Sequence, residues 1–536
     1  MKKLITLVFA ISVFSYSSIA QDAGMNITGS AKLTLEIGTY LLMDGDLKIS
    51  VTDGLIIPRS TFVTTDGALA LDAPLAITVE SDATGRGSYI VNGSVSSSNK
   101  GSMKVQSYIS GSAGTNYFMH FVGAPVEDTT VGWAGKVRLQ QFDMTYLDTY
   151  AFDWDATIDT NTGQPWINIW PYWHEVAVGN GLTLSNYIAG TGTIEMVGYP
   201  VSGNVSYTIR HVTDNGLELI SNPFPSAIDF DDFADDNSTY IQDKYWIYDP
   251  STGNWIPRAD GTGGNQYLQH GQGFFVETKD NGNISFTDSY KTHSTDAFRE
   301  IKPYLLSLKV EGGTIGFKDY LYIHFSDQGT TGYDEEIEAK KWNSVSEGAT
   351  MIRSIAEDET ELAINVLPIA RLYSEMTTVP VHFECGENAE YTFTFEGIES
   401  YDSETEVWLE DLLNDSYWFS ISETNTAYTF TASPDDIKHR FNIHFFGPTS
   451  VQDPVIGDED GLIKIYSSKE YAYIVNKSDE VIKEVAIYNM MGKQILRKKV
   501  PAQQTSKFFV SDKTGYYVVR VLTDKQMHTG KILILR

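Results

Sequence analysis

The segment Asp44–Ile57, DGDLKISVTDGLII, decides the fold at the start of the chain. It contains two Asp-Gly turns on either side of a short strand in which apolar and polar residues alternate. A third turn, Asp66-Gly67, leads into another short apolar strand. Short strands between turns at near-regular spacing predict a small β-solenoid over residues 21–110, in which each rung buries its apolar side chains against the next. A plain antiparallel meander is the alternative.

Period-two patterns continue along the rest of the chain, with abundant Tyr, Trp, Thr and Val and frequent Gly. No apolar pattern at helical spacing is sustained, so we expect an all-β protein of about three or four domains. The best candidate for a helix is Asp334–Trp342, DEEIEAKKW, because its acidic residues precede its basic ones, as the helix dipole prefers.

Residues 1–20 have the pattern of a signal peptide. Lys2 and Lys3 precede an apolar run, small residues follow, and we expect cleavage between Ala20 and Gln21. The apolar run is shorter than the roughly 20 residues that a membrane-spanning helix needs, and no later stretch is longer. We therefore expect an exported mature chain without a transmembrane anchor.

Charge and cysteine content narrow the possible partners and the source of stability. The chain has 39 basic and 70 acidic residues, a net charge of -31, which argues against nucleic acid or an anionic membrane as partner. Its single cysteine, Cys385, excludes an intrachain disulfide, and we interpret it as a small buried hydrophobe rather than a reactive thiol. Packed cores must therefore stabilise the protein.

Residues 111–295 contain what looks like a duplicated unit. The segment GNGLTL at residues 179–184 matches GQGFFV at residues 271–276. In each half an aromatic-Asp pair is followed by Thr-Gly and then by a tryptophan, Trp166 or Trp255. We predict two related β units.

The most specific pattern lies in residues 461–536, in the pieces EVAIYNMMGKQIL, GYYVVRV and GKILILR. They resemble the C-terminal sorting domain of type IX secretion substrates from Bacteroidetes. The segment before it, residues 296–449, is similar to the β-sandwich that such proteins carry ahead of the sorting domain, and residues 450–460 read as a linker. An immunoglobulin-like terminal domain of a binding protein is the alternative.

The residues that match the sorting motif are Gly492, Gly515, Tyr517, Val519 and Lys531. Tyr517 and Val519 share one strand face, and Gly515 permits the tight entry to that strand. Asn489 stands before the turn at Gly492, where the family often has Asp, and Asn tolerates the same turn conformations. The resemblance implies an immunoglobulin-like β-sandwich, Sec export into the periplasm, and recognition by the type IX secretion machinery. It places the protein outside the cell or on its outer surface.

Charge sets this module apart. Residues 462–536 hold 14 Lys/Arg and 6 Asp/Glu, a net charge of +8. Because the whole chain has a net charge of -31, the remaining residues carry -39. A change of sign this sharp indicates a functional boundary.

Motifs for catalysis are missing from the sequence. It contains no G-x-S-x-G elbow, no P-loop and no cysteine pair, and His174-Glu175 has Val178 where a zinc protease has its second histidine. The sequence does not decide whether a pair of carboxylates suited to glycoside hydrolysis is present, because a random acidic surface would contain as many carboxylate pairs. We assign no catalytic residue and expect a non-enzymatic protein.

An aromatic cluster is a candidate for ligand binding and consists of Trp154, Trp166, Trp170 and Trp173. Exposed planar rings can stack on sugar rings, and buried rings fill a sandwich core. Aromatic and aliphatic residues occur on both faces of this segment, which favours burial.

Calcium is the one cofactor that the sequence suggests. Asp153, Asp155, Asp159 and Asn161 place oxygen ligands at alternate positions in a loop, as in calcium sites. The acidic run Asp229–Asp236 adds oxygens elsewhere. Because the bidentate Glu of an EF-hand loop is missing, ordinary Asx turns are the favoured interpretation.

The leading hypothesis is therefore a non-enzymatic extracellular or cell-surface protein, adhesin-like or structural, exported by Sec and then by the type IX system. The alternative is a carbohydrate-binding or polysaccharide-processing surface protein. The expected partners are the secretion machinery and an extracellular glycan or protein.

Overall fold

The computed structural model describes most of the chain. The described residues are 18–21, 24–98, 101–109, 118–127, 136–138, 149–154, 166–168, 175–186, 192–211, 216–249, 253–294, 302–446 and 463–534, apart from gaps at 315, 345, 347, 375, 404, 415–416, 469–470, 477, 479, 490–491, 501–504, 511–512 and 514. The fold is all-β, as predicted. The chain divides into two compact units, one of residues 1–300 with 343–347 and one of residues 301–342 with 348–536.

The first unit begins with a parallel β-solenoid. Its strands are β1 (Ser18–Gln21), β2 (Met25–Ile27), β3 (Leu33–Thr34), β4 (Tyr40–Met43), β5 (Leu47–Ile49), β6 (Leu55–Ile57), β7 (Phe62–Thr65), β8 (Leu69–Leu71), β9 (Ile77–Val79), β10 (Ser81–Asp82), β11 (Gly85–Arg86), β12 (Ser88–Val91), β13 (Val95–Ser97) and β14 (Met103–Ile109). Three parallel sheets run along it, ordered β1-β4-β7-β12, β2-β5-β8-β13 and β3-β6-β9-β14, and β10 pairs with β11. The solenoid prediction is confirmed, and the antiparallel meander is wrong.

Each rung buries apolar side chains in register with the next. Leu47 pairs with Leu69 and Leu55 pairs with Ile77, and all four side chains are fully buried. This interior is almost wholly apolar because the rungs repeat the same apolar positions, and its buried Thr65 hydroxyl accepts a hydrogen bond from Tyr89.

The Asp-Gly turns at Gly45 and Gly67 and the Asn-Gly turn at Gly93 stack directly on one another along the solenoid. A Cβ atom added to Gly67 would lie 2.4 Å from the carbonyl carbon of Gly45, and one added to Gly93 would lie 2.1 Å from the carbonyl oxygen of Gly67. Only glycine fits this close approach of backbones. The turns that decide the fold are therefore also contacts between rungs.

Two larger sheets follow in the first unit, with three smaller ones beside them. The elements are β15 (Phe118–Val122), β16 (Val126–Glu127), β17 (Lys136–Arg138), β18 (Thr149–Trp154), β19 (Trp166–Asn168), β20 (Glu175–Ala177), β21 (Leu182–Asn186), β22 (Gly192–Pro200), β23 (Val205–Ile209), β24 (Leu217–Ser221), β25 (Ala227–Asp229), α1 (Phe230–Asp236), β26 (Ile241–Asp249), β27 (Asn254–Ala259), β28 (Thr262–Gly263), β29 (Tyr267–Leu268), β30 (Gly273–Thr278), β31 (Gly282–Phe286), a 3-10 turn (Asp288–Tyr290) and β32 (Lys291–Thr292). One sheet has the order β15-β21-β18-β19 and the other β24-β30-β26-β27-β28. The two larger sheets thus repeat one connectivity. The smaller sheets are β17-β20, β23-β31 and β29-β25-β32.

The two sheets are joined by reciprocal backbone pairing. Val122 of the first forms a bridge with Gln272 beside the second, and Asn180 beside the first forms a bridge with Ile220 of the second. Strand β22 returns to the solenoid, where it pairs antiparallel with β14.

The second unit begins with one eleven-stranded sheet, the sandwich. Its elements are β33 (Leu305–Gly312), β34 (Phe317–Ser326), β35 (Ala339–Lys340), β36 (Met351–Ile355), β37 (Glu361–Pro368), α2 (Ile369–Ser374), β38 (Thr377–Glu384), β39 (Ala389–Glu396), a 3-10 turn (Ile398–Ser400), β40 (Glu406–Asp411), β41 (Tyr417–Ile421), β42 (Ala427–Ala432) and β43 (His439–Phe446). The order is β41-β40-β43-β38-β36-β37-β34-β33-β39-β42, with β35 on β37. The sheet folds over one core, since the rings of Phe393 in β39 and Phe441 in β43 lie 4.8 Å apart.

The sandwich also buries charges. Lys341 Nζ lies 2.5 Å from Asp319 Oδ1 with both side chains 1% exposed, and the Ile352 backbone N–H donates to Asp319. Arg440 Nη2 lies 2.9 Å from Asp411 Oδ2, also buried. Each of these charges has an opposite charge as partner, as a buried charge requires.

The predicted helix Asp334–Trp342 is wrong. The segment makes one turn, and its residues Ala339–Lys340 then form strand β35 against β37. The Glu338 carboxylate accepts hydrogen bonds from the backbone N–H groups of Asp334 and Val366, which ties the turn to the sheet. Tertiary pairing therefore overrides the charge pattern.

The chain ends in a smaller module, the sorting module. Its strands are β44 (Ile463–Ser468), β45 (Tyr471–Asn476), β46 (Ile482–Asn489), β47 (Gln494–Lys499), β48 (Thr505–Phe509), β49 (Gly515–Thr523) and β50 (Met527–Ile534). They form a three-stranded sheet, β44-β45-β48, and a four-stranded sheet, β47-β46-β49-β50, around one apolar core.

Candidate functional site

The structure brings together only part of the predicted aromatic and calcium sites. Trp154 and Trp166 are paired across β18 and β19, and Asp153 is paired with Ile167. The other predicted residues, Trp170, Trp173, Asp155, Asp159 and Asn161, lie outside the described residues. The ligand and calcium sites therefore stay predictions.

In the sheet β24-β30-β26-β27-β28, the aromatic pair that corresponds to Trp154 and Trp166 is buried. Tyr248 of β26 pairs with Trp255 of β27, both are buried, and their rings are 5.3 Å apart. The rings of Phe121 and Phe275 lie 5.1 and 5.7 Å from the Trp255 ring. In this copy the aromatic residues fill a core.

The acidic run Asp229–Asp236 serves the local fold. The Asp229 carboxylate caps helix α1 by accepting from the Asp231 backbone N–H at 3.0 Å, and Asp231 binds the Arg258 guanidinium. Across the ranges that the structure describes, no three His, Cys, Asp or Glu side chains are grouped to hold a metal ion.

Cys385 lies partly buried beside the sandwich core. Burial raises the pKa of its thiol. A raised pKa keeps the thiol protonated, in line with the expectation of an unreactive side chain.

The predicted cleavage point lies in a strand. Residues Ser18–Gln21 form β1, which pairs parallel with β4, so a cut between Ala20 and Gln21 would remove most of this edge strand. The cleavage itself stays a prediction.

The sorting-motif residues have different roles in the module. Tyr517 and Val519 lie in its core, and the Tyr517 hydroxyl donates to the Lys513 carbonyl at 2.5 Å. Gly492 has φ of 81°, a left-handed conformation that favours glycine. At Gly515 an added Cβ atom would meet nothing within 4 Å, so the backbone does not require glycine there. Lys531 Nζ lies 4.1 Å above the Tyr516 ring.

The four-stranded sheet of the module presents a basic face with apolar residues among the cations. Arg520, Leu522, Tyr516 and Met527 are exposed on β49 and β50. The Arg520 guanidinium lies 5.5 Å above the Tyr488 ring.

The central strand β45 of the three-stranded sheet is covered on both sides. Alternate residues of β45, Ala472 and Ile474, lie in the module's own core. The residues between them, Tyr473 and Val475, are also buried, in a cluster with Trp408 and Trp418 of the sandwich. The module therefore packs on the sandwich through β45.

The sandwich surface that β45 covers is called here the seat, and it consists of Trp408, Glu410, Trp418 and His444. Its strands alternate, with Val407 and Leu409 in the sandwich core and the seat residues on the opposite face. The Trp418 and His444 rings stack at 4.2 Å with an angle of 7° between their planes, and the Tyr473 ring of the module lies 5.6 Å from Trp418.

A buried carboxylate lies at the centre of the seat. Glu410 Oε2 accepts hydrogen bonds from Asn442 Nδ2 at 2.9 Å and from His444 Nε2 at 3.1 Å. Glu410 Oε1 has no hydrogen-bond partner among the described residues, and Lys507 Nζ of the module lies 4.0 Å from it.

Electrostatics fix the charge states in the seat. Burial alone raises the pKa of Glu410, but the hydrogen bond and charge of His444, the hydrogen bond from Asn442 and the charge of Lys507 outweigh burial and lower it to about 2. Burial lowers the pKa of His444. Glu410 is therefore ionised and lies within hydrogen-bond distance of His444 Nε2, while His444 Nδ1 lies 2.9 Å from the Thr378 hydroxyl.

Sequence reasoning missed the seat, although a signal was present. The strands VWLEDL and HRFNIHF alternate apolar core residues with Trp408, Glu410 and His444. An outer strand face of this kind carries aromatic and charged residues that need a cover.

Comparison with family models gives two matches. Residues 27–445 match the family described as domain of unknown function (DUF8693), and residues 467–535 match the secretion system C-terminal sorting domain. No curated protein matches the chain at a significant level.

Among solved structures the similarities are weak. A central fibronectin-III array of RIM-binding protein is 11% identical and aligns over 63% of this chain and 98% of its own, with a TM-score of 0.11. A Salmonella alpha-2-macroglobulin variant is 8% identical over 81% of this chain and 32% of its own, with a TM-score of 0.12. Among the described helices, none has the length and hydrophobicity to cross a bilayer.

Proposed function

The chain belongs to the family described as domain of unknown function DUF8693 and ends in a type IX C-terminal sorting domain, and we propose from this premise that it is a non-enzymatic structural or adhesin-like protein. The sorting domain makes it a secreted protein of the cell surface or exterior that interacts with the type IX machinery. The proposal concerns what the protein does after export.

The observation that carries the proposal is how the large aromatic side chains are used. Trp342 is half-buried. Trp246, Trp255, Trp408 and Trp418 are buried, at 8% exposure or less. In each case the ring packs with neighbouring side chains of the fold and contributes apolar burial. Tryptophan side chains that pack inside the fold are not available to bind a ligand, which supports the role of a structural scaffold.

The test compares attachment with hydrolysis. Cells that lack the protein are expected to adhere less to surfaces or to neighbouring cells, and the full chain restores adhesion when it is supplied again. The purified full chain is expected to release no product from a panel of polysaccharides. Product release that a single Asp or Glu substitution abolishes would overturn the proposal.

Export is tested separately by deleting residues 461–536. The truncated chain is expected to accumulate in the periplasm, where fractionation and immunoblotting detect it. A chain that lacks only residues 450–460 is the matched control and is expected to reach the exterior. Surface exposure of the truncated chain would contradict the role of the module.

A second candidate function is carbohydrate binding, favoured by the pairing of Trp154 and Trp166 on adjacent strands. Residues directly opposite in an antiparallel pair lie on the same sheet face, so the two tryptophans share one face. Titration of the full chain with glycans should shift tryptophan emission if that face binds sugar, and the shift should disappear in Trp166→Ala. Trp255→Phe is the control, because Trp255 is part of a core.

A further inference from the structure

We propose that the sorting module is a noncovalently held partner of the sandwich, so that cutting the chain between residues 447 and 462 leaves the module bound to the seat. The interaction surface is the seat of Trp408, Glu410, Trp418 and His444, and its occupant is the sheet β44-β45-β48 of the same chain. The inference does not depend on the adhesive or structural role proposed above.

Two-sided burial of β45 is the first argument. Tyr473 and Val475 point away from the module's core, yet they are 4% and 1% exposed, because the sandwich covers them. Trp408 and Trp418 are covered in the same way from the other side. Aromatic residues of this size dominate binding at interfaces, and here they lie at the centre of the contact.

The second argument is the match of charge across the contact. The ionised Glu410 faces Lys507, which also lies 4.6 Å above the Tyr471 ring and 5.6 Å above the Tyr473 ring. A cation over two aromatic rings and near a buried carboxylate is placed by several contacts at once. An ionic contact in an apolar interface fixes the register of docking.

The third argument is long-range attraction. The module carries +8 and the remainder of the chain -39, by the residue counts above. Opposite net charges raise the rate at which a detached module finds the seat again, and salt weakens this effect.

Docking through the three-stranded sheet also decides what the module presents. The four-stranded sheet with Arg520 keeps its basic outer face exposed while the seat is occupied. That basic face therefore stays accessible to a partner while the module is docked.

The experiment uses the full chain with a site-specific protease sequence inserted in residues 450–460. After cleavage the two fragments are run together by size exclusion at low micromolar concentration and physiological salt. The unmutated fragments are expected to co-elute. Separation of the unmutated fragments would overturn the proposal.

Matched variants tie the result to the seat. Lys507→Glu places two carboxylates together, and we expect at least a tenfold weaker affinity of the module, measured by dilution. Arg520→Glu makes the same charge change on the exposed sheet and should leave the affinity within about twofold. Equal affinities of the two variants would overturn the role of the seat.

Trp418→Ala provides a second readout. Loss of the ring should separate the fragments, and the melting temperature of the intact variant shows whether the sandwich still folds. If the sandwich of Trp418→Ala does not fold, Lys507→Glu alone tests whether the seat holds the module, because Lys507 is 32% exposed and lies outside both cores.

Discussion

The solenoid and the sandwich are both β structures, yet they bury different side chains. The solenoid interior is almost wholly apolar, and its ion pairs, such as Lys48–Asp72 at 2.7 Å, lie outside between rungs. The sandwich buries Asp319 with Lys341, and Asp411 with Arg440. In a solenoid each strand pairs with its neighbour one rung away, so repetition sets the register. In the sandwich, distant strands must find one another, and we infer that the buried charges help to discriminate between pairings.

The largest effect that this comparison predicts is in the sandwich. Asp319→Ala leaves Lys341 buried without its carboxylate and should lower the free energy of unfolding by about 4 kcal/mol. Urea unfolding followed by fluorescence measures it. The double variant Asp319→Leu with Lys341→Met removes both charges and should lose much less. A loss as large in the double variant would show that shape rather than charge matters there.

A substitution in the solenoid core is expected to lower the free energy of unfolding less, and through lost apolar burial rather than an unpaired charge. Leu47→Ala removes a fully buried side chain and should cost about 3 kcal/mol through lost burial and a cavity. Leu42→Ala is the control, because Leu42 is 37% exposed on the same solenoid, and its cost should stay within about 0.5 kcal/mol. Thermal unfolding compares the two. Similar costs would contradict the assignment of inside and outside.

Acid–base behaviour sharpens the comparison further. Burial raises the pKa of Glu338 in the sandwich to about 7 from an ordinary 4.5. Because the folded pKa lies above the unfolded one, this group stabilises the fold at low pH, and the contribution is lost as pH rises from about 4.5 to about 7. Glu338→Gln should remove about 2 kcal/mol of pH dependence between pH 5 and pH 7.5. Unfolding in urea at both pH values tests this. The same difference in unfolding free energy between the two pH values in Glu338→Gln and in the unmutated protein would contradict it.

The smallest effect is expected at the outer surface of the solenoid. Lys48→Ala breaks the ion pair with Asp72 at partly exposed positions and should cost less than about 1 kcal/mol. High salt should abolish the difference from the unmutated protein. A loss comparable with that of Asp319→Ala would erase the distinction between the two regions.

Prediction from sequence succeeded where signals are local. The Asp-Gly turns predict the solenoid because turn and rung recur within about twenty residues. The all-β class and the sorting module follow from alternation and from three short pieces of sequence near the C-terminus. The domain boundaries and the roles of the aromatic cluster stay predictions.

The rest depends on contacts that sequence spacing does not report. Glu410 and His444 are 34 positions apart and meet only because β40 pairs with β43. Glu338 binds the backbone of Val366 across the sheet, which turns an apparent helix into a turn and a strand. The seat requires docking of one module on another, and no local pattern gives that geometry.

One connection of the solenoid has a consequence for protein engineering. Ile109 at the end of β14 and Gly192 at the start of β22 are partners in register. The chain leaves the sheet and comes back at the same place, so residues 110–191 are an insertion at a hairpin position. Domains inserted at such positions exchange readily, because their two ends are already close together. Any domain that replaces this insertion must itself supply the apolar residues that close the solenoid core, as Val122, Val126 and Leu182 do here.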